Sequence, residues 1–507
     1  MRMLFVFKSI EWLGIEYLSA VLEKAGHETD LAFEIGLEGT FYFHSKKKNH
    51  TPIIEKIEAF KPDMVLFSST TNLFPWVREV AGEIKRHYKV PIMVGGIHAT
   101  IQPERVLADD NIDMVCVGEG EDAIVELANK ISQGQDHHDT KNIWCKLNNT
   151  IVKNKVRPLI PDLDRLPFPN KDIFYQYGCF TNRLYVMASR GCPYSCTYCF
   201  NHQLQKLYKE IGCPYVRRRS VDSVIDELKI YRDKYKMKSV HFYDDTFILN
   251  QGWITEFAIK YKQEIRVPFY CLVRANLVTR KIVAALKEAG CVCVGMGIES
   301  GNDHIRNNIL NRNMSTQQIY EASKIIKEND IKLVTFNIFG IPGETPKEML
   351  DTMKMNLQIK PDSLFTYTFY PFPGTDLMQT SLKNNYIDKE THEKLMNGLG
   401  DYQSKSLLNL PFTTVAYNMK VILAILNKTP RFFHNYFLTV WVLNNHSDIL
   451  LSIIKALSIP FYSSWEAKGR LKEQISMFKK YYLQKVKQVL KLSLKKESNI
   501  SPLPWSK

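Results

Sequence analysis

No stretch of the chain reaches the roughly 18 uncharged apolar residues that a membrane-crossing helix needs. The amino terminus, Met1-Arg2-Met3-Leu4-Phe5-Val6-Phe7, opens with a charge and an apolar run, but Lys8 and Glu11 break it before any secretory core or small-residue cleavage site. It reads as a first strand. Cysteine is scarce, ten of 507 residues, and shows no exported-scaffold spacing, so a reducing cytosol is the expected compartment.

What is present suits a large globular protein: 45% of residues are hydrophobic, and 507 residues are too many for one ordinary core, so two or three domains are expected. The net charge of +14 is unevenly placed. From Trp465 onward eleven Lys/Arg meet three Asp/Glu, which puts +8 in the last 43 residues. A basic tail suits nucleic acid, an anionic membrane surface, or simply a solvated helix, and the last is the plainest reading.

Residues 1–133 alternate apolar strands with amphipathic helices: Met3 to Phe7 then Gly14 to Ala25, Met64 to Ser68 then Trp76 to Tyr88, Ile92 to Gly95 then Pro103 to Leu107, Met114 to Val117 then Glu121 to Ile131. That pattern predicts an α/β, doubly wound, Rossmann-like parallel sheet, whose ligands bind at the carboxyl ends of the strands. Those ends carry Ser68-Ser69-Thr70-Thr71, Gly95-Gly96-Ile97-His98 and Gly118-Glu119-Gly120-Glu121. Small and hydroxyl residues there let a ligand approach the backbone, and tight turns would need the same glycines. Residues 134–182, polar and then punctuated by Pro158, Pro161, Pro167 and Pro169, read as a linker.

Residues 183–377 resume the alternation, with strands at Leu184 to Met187, Ser239 to Phe242, Phe269 to Val273, Cys291 to Ile298, Leu333 to Phe339 and Leu364 to Phe369. Six βα units imply a partial (β/α)6 barrel with reactive groups at the carboxyl ends of its strands. Cys213, Cys271, Cys291 and Cys293 have no cluster spacing and read as core, with the last two on one face. Residues 378–507 read as an α-helical, basic region without motifs. One face there, Leu471 to Leu494, is apolar and the lysines lie mostly off it; such a helix packs on the barrel or lies on an anionic membrane.

Just after the first barrel strand comes Ala188-Ser189-Arg190-Gly191-Cys192-Pro193-Tyr194-Ser195-Cys196-Thr197-Tyr198-Cys199-Phe200-Asn201. At about 2 per cent cysteine, Cys at both +4 and +7 arises by chance on the order of 0.004 times over ten starts. Three thiolates on so short a loop suit an iron-sulfur cluster with one iron left free of protein ligands. A structural zinc site would instead need His202 as fourth ligand.

The C-x3-C-x2-C spacing resembles the signature of the radical S-adenosylmethionine (SAM) superfamily. The resemblance implies a 4Fe-4S cluster on Cys192, Cys196 and Cys199, whose open iron chelates SAM so that one electron cleaves it to a 5'-deoxyadenosyl radical. It places Tyr198 near adenine, Asp244 and Asp245 at the methionine amino group, Glu299 at the ribose hydroxyls, and the Gly340 turn, closed by Glu344, beside adenine. Arg274 pairs with the substrate or with the methionine carboxylate.

Residues 1–133, placed ahead of that motif, resemble the cobalamin-binding domain of cobalamin-dependent radical SAM enzymes, with Ser68, Thr70, Gly95, Gly96, His98 and Glu119 as the implied corrinoid contacts. One departure is visible. The D-x-H-x-x-G motif that supplies a lower cobalt ligand elsewhere is replaced by Phe7-Lys8-Ser9-Ile10-Glu11-Trp12-Leu13-Gly14.

The activity so implied is methylation of an unactivated carbon in a small-molecule or lipid substrate, with electrons from a reductant such as flavodoxin or ferredoxin and no nucleic acid involved. A cobalamin-dependent oxidative cyclase or rearrangement enzyme is the alternative within the family. A zinc-stabilised nucleic-acid-binding protein is the alternative outside it. Radical methylthiolation enzymes carry a second cysteine trio in the N-terminal domain, and this chain has none.

Overall fold

The computed structural model describes residues 1–8, 10–34, 50–148, 150–179 and 183–427. The first sheet holds β1 (Arg2–Lys8), β2 (Glu28–Glu34), β3 (Met64–Ser68), β4 (Ile92–Gly95), β5 (Met114–Cys116), β6 (Ile143–Leu147) and β7 (Thr150–Val152). Its order is β2-β1-β3-β4-β5-β6-β7. The first five strands are parallel. β1 is apolar on both faces, Met3 to Phe7 being at most 3% exposed, as a central strand between two helical layers must be. Helices Leu13–Lys24 and Glu121–Ser132 cover one face, Thr51–Phe60 and Phe74–His87 the other. Chain direction across the sheet reverses between β1 and β3, so the ligand crevice of this topology opens at their carboxyl ends.

The sequence reading missed β2 and the helix Thr51–Phe60. Residues 134–182 also do more than link: β6 and β7 form an antiparallel hairpin that extends the sheet beyond β5. Ile143 and Cys145 turn inward while Trp144 and Lys146 turn outward, an alternation too short to stand out between polar and proline-rich flanks.

The barrel contains β8 (Leu184–Val186), β11 (Val240–Phe242), β12 (Phe269–Val273), β13 (Cys291–Glu299), β14 (Lys332–Phe339) and β15 (Ser363–Thr368), all parallel and in chain order from edge to edge. Between the first two, β9 (Ser189–Arg190) and β10 (Arg217–Arg218) pair as a small antiparallel ribbon. Helices Thr316–Glu328 and Pro346–Ile359 each start in a capping box, Ser315 with Gln318 and Thr345 with Glu348, worth about 1 kcal/mol apiece. Phe242, Phe247, Phe257 and Phe269 are fully buried between strands and helices, each ring contributing about 1.5–3 kcal/mol.

One expectation is corrected. Cys291 packs in the helix-facing core, whereas Cys293 faces the barrel lumen with Tyr270 and Val334. The register against β12 slips at this point, Phe269 pairing with Cys291 and Tyr270 with Cys293, so Val292 is squeezed out of the ladder. One extra residue inverts the face.

Beyond the barrel, helix Thr413–Leu426 packs Met419, Ile422 and Leu423 onto Phe339 and Leu364. Helix Lys389–Met396 and the turn after it reach back to the first sheet. There Arg105 pairs with Glu393 at 2.8 and 3.2 Å, and Asn72 donates to the Gly400 carbonyl at 2.7 Å. The basic amphipathic stretch Leu471 to Leu494 lies outside the described residues. Among the described residues no helix is long and apolar enough to cross a membrane.

Sheet and barrel are joined by a buried ion pair. Lys171 Nζ donates to Glu16 Oε2 at 2.5 Å and to the Tyr185 carbonyl at 2.7 Å, with Glu11 at 3.7 Å. Burial pushes the Glu16 carboxyl up to about 7 against the pull of the ammonium. It also works against the Lys171 charge, which Glu16 and Glu11 together preserve. Lys171→Met strands two buried carboxylates and should lower stability by about 3–5 kcal/mol, read by urea unfolding of both domains.

Candidate functional site

The cysteine loop is held from both sides. Gln205, on helix Phe200–Ile211, donates to the carbonyls of Cys192 and Tyr194. Opposite it, Asn311 Nδ2 donates to the Ser195 carbonyl at 2.8 Å and Thr197 Oγ1 to the Ile309 carbonyl at 2.6 Å. The thiols are close enough to feel one another: burial raises Cys192, and lifts Cys199 to about 12, with Asp245 and the other cysteines adding to both. Three thiols on one loop, two of them held back from ionising by burial and with a carboxylate beside them, fit a cationic centre, which would reverse that trend.

Single zinc fits less well. His202 turns Nε2 to Asp376 at 3.0 Å. Among the described residues no three His, Cys, Asp or Glu side chains are grouped to hold one metal ion. A cubane distributes its three thiolates over three irons and does not need such a group.

The neighbouring acids divide the work. Asp244 is fully buried, and its carboxylate accepts from the Ala188 amide at 3.0 Å and from the Ser189 hydroxyl, so it braces the strand end before the cysteines. Burial raises its carboxyl, with Arg218 opposing. Asp245 is open to solvent on one side and accepts from Asn201 Nδ2 at 2.9 Å. Protein crowding its other sides, and the like charge of Asp244, raise its carboxyl too.

Glu299 stands at a bulge. The β13–β14 register slips between Gly297 and Glu299, and Glu299 takes φ = +63°, a conformation that costs a non-glycine residue about 1–3 kcal/mol. Arg312 holds it there: one guanidinium contacts Glu299 at 3.4 Å, Tyr198 OH at 2.6 Å and the Gly297 carbonyl at 2.7 Å. Burial raises Glu299 while Arg312 and Tyr198 pull it down. Arg274 donates to the Arg312 carbonyl and lies 3.7 Å over the Tyr194 ring. Arg274 Nε, Arg312 Nε and Asn276 Oδ1 are buried with no protein hydrogen bond. Unsatisfied polar atoms gathered at one mouth, each costing about 1–3 kcal/mol, fit a polar ligand such as SAM. Gly340 has φ = +76°, and its amide and that of Ile341 donate to Glu344 at 2.8 and 3.2 Å.

At the first sheet, Ser68, Thr70, Gly95 and Gly96 form a half-buried rim at the carboxyl ends of β3 and β4. Gly96 has φ = +91°, and a Cβ there would come 2.8 Å from the Ser69 amide, so the glycine lets the two turns lie against each other. The bare rim fits a corrinoid tail. His98 does not join it: the ring is fully buried 4.5 Å from Phe74, and burial, with Arg105, lowers its pKa to about 4. Glu119 is engaged elsewhere. It accepts from Arg217 at 2.6 and 2.9 Å and from Arg190 at 3.1 Å, while Glu121 takes Arg190 at 2.6 Å. Burial would raise Glu119, and the two guanidiniums outweigh it and hold its carboxyl below the usual range.

Sequence reasoning passed over Arg312, Gln205 and Asn311, and marked Asn276 only as part of the strand end Arg274-Ala275-Asn276, with no role. The run Asn311-Arg312-Asn313 was the available signal, since both asparagines take positive φ and present the arginine between them.

Arg312→Met should free Glu299 and Tyr198 and weaken SAM binding by about tenfold to a hundredfold, by calorimetry on the anaerobically reconstituted protein. Burial also pushes Glu344 up to about 8. Because that folded-state value is raised, its contribution to stability is whole below the ordinary 4.5 and is lost as pH rises through about 8. Glu344→Gln keeps the acceptor oxygen, so over that interval its melting temperature should decline less than the parent's, the contribution of Glu16 being common to both.

Comparison with known proteins agrees with this geometry. The Radical SAM superfamily model matches residues 186–355 and the B12 binding domain model residues 6–128. An uncharacterized methyltransferase of Pyrococcus horikoshii is 30% identical over 382 residues, 74% of this chain and 79% of that protein. The anaerobic magnesium-protoporphyrin IX monomethyl ester cyclase of Rubrivivax gelatinosus is 25% identical over 380 residues, 72% of this chain and 65% of the cyclase. The radical SAM methyltransferase TsrM of Kitasatospora setae, with cobalamin and a [4Fe-4S] cluster bound, shares the fold with a TM-score of 0.66 at 15% identity, over 95% of this chain and 99% of that one. A cysteine loop braced for a cluster, a polar mouth beside it and a B12-type sheet clamped to both place this chain in the radical SAM superfamily, among its members with an N-terminal B12-binding domain.

Proposed function

We propose that the protein transfers a methyl group from SAM to an unactivated carbon of a small-molecule substrate. When bound, the cluster supplies the electron that cleaves SAM reductively, and the corrinoid carries the methyl group. The chain's own residues do the positioning. Cys192, Cys196 and Cys199 would hold the cluster, Asp245 would take the SAM ammonium, Glu299 oriented by Arg312 would take the ribose hydroxyls, and the Ser68–Thr70 and Gly95–Gly96 rim would receive the corrinoid tail. Asp244 acts by bracing the Ala188 amide and the Ser189 hydroxyl, Glu119 by holding Arg190 and Arg217, and His98 only packs against Phe74.

The observation that carries the reading is the Glu119–Arg190 contact, which ties the sheet bearing the proposed corrinoid rim to the strand that leads into Cys192. Methyl transfer requires the two cofactors to face one substrate, and this contact sets their separation. The Rubrivivax relative supports ring closure as the second reading. Electrons would come from a flavodoxin- or ferredoxin-type reductant.

Anaerobic reconstitution with iron, sulfide and hydroxocobalamin, then dithionite and SAM with a substrate panel, tests this. 5'-deoxyadenosine, S-adenosylhomocysteine and a methylated product should appear together. 5'-deoxyadenosine without S-adenosylhomocysteine favours ring closure. Cys196→Ala should abolish SAM cleavage while corrinoid uptake, read by absorbance, persists.

A further inference from the structure

Asn201 is the second residue of the helix Phe200–Ile211, two past Cys199, and its side chain is engaged on three sides. Nδ2 donates to Asp245 Oδ1 at 2.9 Å and to Cys199 Sγ at 3.9 Å, while Oδ1 accepts from the Tyr215 hydroxyl at 2.6 Å. Those partners settle which end of the amide faces which. A carboxylate only accepts, so the two N–H groups must turn toward Asp245 and Cys199, and the carbonyl is left for the phenol.

Tyr215 is pinned where it can do this. Gly191 has φ = +87°, and a Cβ there would come 2.5 Å from the Tyr215 carbonyl oxygen and 3.0 Å from its ring, so a glycine one residue before Cys192 lets the tyrosine lie against the loop. The ring runs nearly parallel to that of Tyr208, centroids 6.3 Å apart and planes at 20°. Tyr208 follows Asn201 on the same helix and accepts the Glu119 amide at 3.0 Å. The phenol that orients Asn201 is thus placed by the cysteine loop on one side and by a contact with the first sheet on the other.

We propose that Asn201, held by Tyr215, is a positioning residue that divides one amide between Cys199 and Asp245 and so sets how readily the cluster accepts an electron. This rests on the functional reading above in taking Cys199 as a cluster ligand. A hydrogen bond to a ligating sulfur favours the more negatively charged, reduced state and raises the potential. At 3.9 Å the bond is long, so its effect is modest and depends on the amide being held in place. The backbone amide of Asn201 works in the same direction at Cys199. It stays whatever side chain residue 201 carries, so substitution there isolates the side chain.

The test is a reductive titration of the full-length, anaerobically reconstituted protein without SAM, corrinoid or substrate, read by electron paramagnetic resonance in preparations matched for iron and sulfide. Dithionite supplies the single electron, and no bond is made or broken. Asn201→Leu keeps the shape and removes the donors. Its reduction equilibrium should fall by at least about threefold, roughly half of the ~59 mV that a tenfold change is worth for one electron. Tyr215→Phe keeps the ring against Gly191 but releases the amide, and should shift the potential the same way by less. Tyr208→Phe loses the Glu119 bond, leaves Asn201 and Tyr215 intact, and should keep the parent's value. An unchanged or raised potential in Asn201→Leu or in Tyr215→Phe overturns the proposal, as does a fall in Tyr208→Phe equal to that in Tyr215→Phe. The readout needs no methyl acceptor, so protein that shows these shifts and methylates nothing would sink the methyl-transfer reading and leave the role of Asn201 standing.

Discussion

Two carboxylates just past β5 and two guanidiniums of the barrel ribbon form the contact to which the rest of the site is referred. Arg190 and Arg217 are paired residues of β9 and β10, so Glu119 and Glu121 grip a small rigid ribbon instead of one loose side chain. Cys192 follows Arg190 by two residues. Such a cluster adds little net stability, because removing four charges from water costs about as much as their attraction returns. Its effect is on geometry. Bidentate arginine bonds tolerate little rotation, and Arg217 Nη1 is further fixed by the Ile160 carbonyl at 2.7 Å. A corrinoid on one domain and a cluster on the other keep a set separation only if the seam between them cannot slide.

The mouth of the barrel accepts local costs that this rigidity makes sustainable. Glu299 in a left-handed conformation, and three buried polar atoms lacking protein partners, would relax in a softer scaffold. Arg306 shows why they do not. It is fully buried, and its guanidinium donates to the Ser300 and Met314 carbonyls at 2.8 Å each, to Thr316 Oγ1 at 3.0 Å and to Asp303. That pins the connection leading from the bulge toward Arg312 at several points. Strain at Glu299 is therefore held by bonds on both sides of it, while the unsatisfied atoms stay turned toward the place a ligand would occupy.

Much of this was legible from sequence. Continuous apolar runs ending in small or polar residues marked the strands and their functional ends, since a parallel sheet covered on both faces leaves little else for those runs to be. The cysteine spacing was readable because all its members lie on one loop. What escaped had a common cause: a sequence shows which residues end a strand but not which way each one turns. Asp244 and Asp245 are adjacent, yet one faces inward to brace Ala188 and the other faces out. Cys291 and Cys293 obey alternation on paper, and a single bulged residue between them defeats it. Glu119, at a strand end with the expected chemistry, is claimed by arginines 71 and 98 residues away, a pairing no local pattern announces.

The segment after β15 carries no motif, yet its place is tightly fixed by shape. Gly398, at φ = +75°, lies so close to the Thr71 carbonyl that any Cβ would collide with it, and Asn72 bonds to Gly400. At its other end, Asp376 pairs with His202 at 3.0 Å and Lys206 at 2.6 Å on the helix that follows the cysteines. The same short stretch therefore touches the turn after β3 and the helix that follows the cysteine loop, and Tyr402 just beyond it meets Tyr367 edge-on. Residues that hold cofactors must keep their chemistry, so they read as motifs. Residues that close the space between two domains need only fit, and here that fit, made of glycines, backbone bonds and one ion-paired aspartate, joins the first sheet to the helix after the cysteine loop.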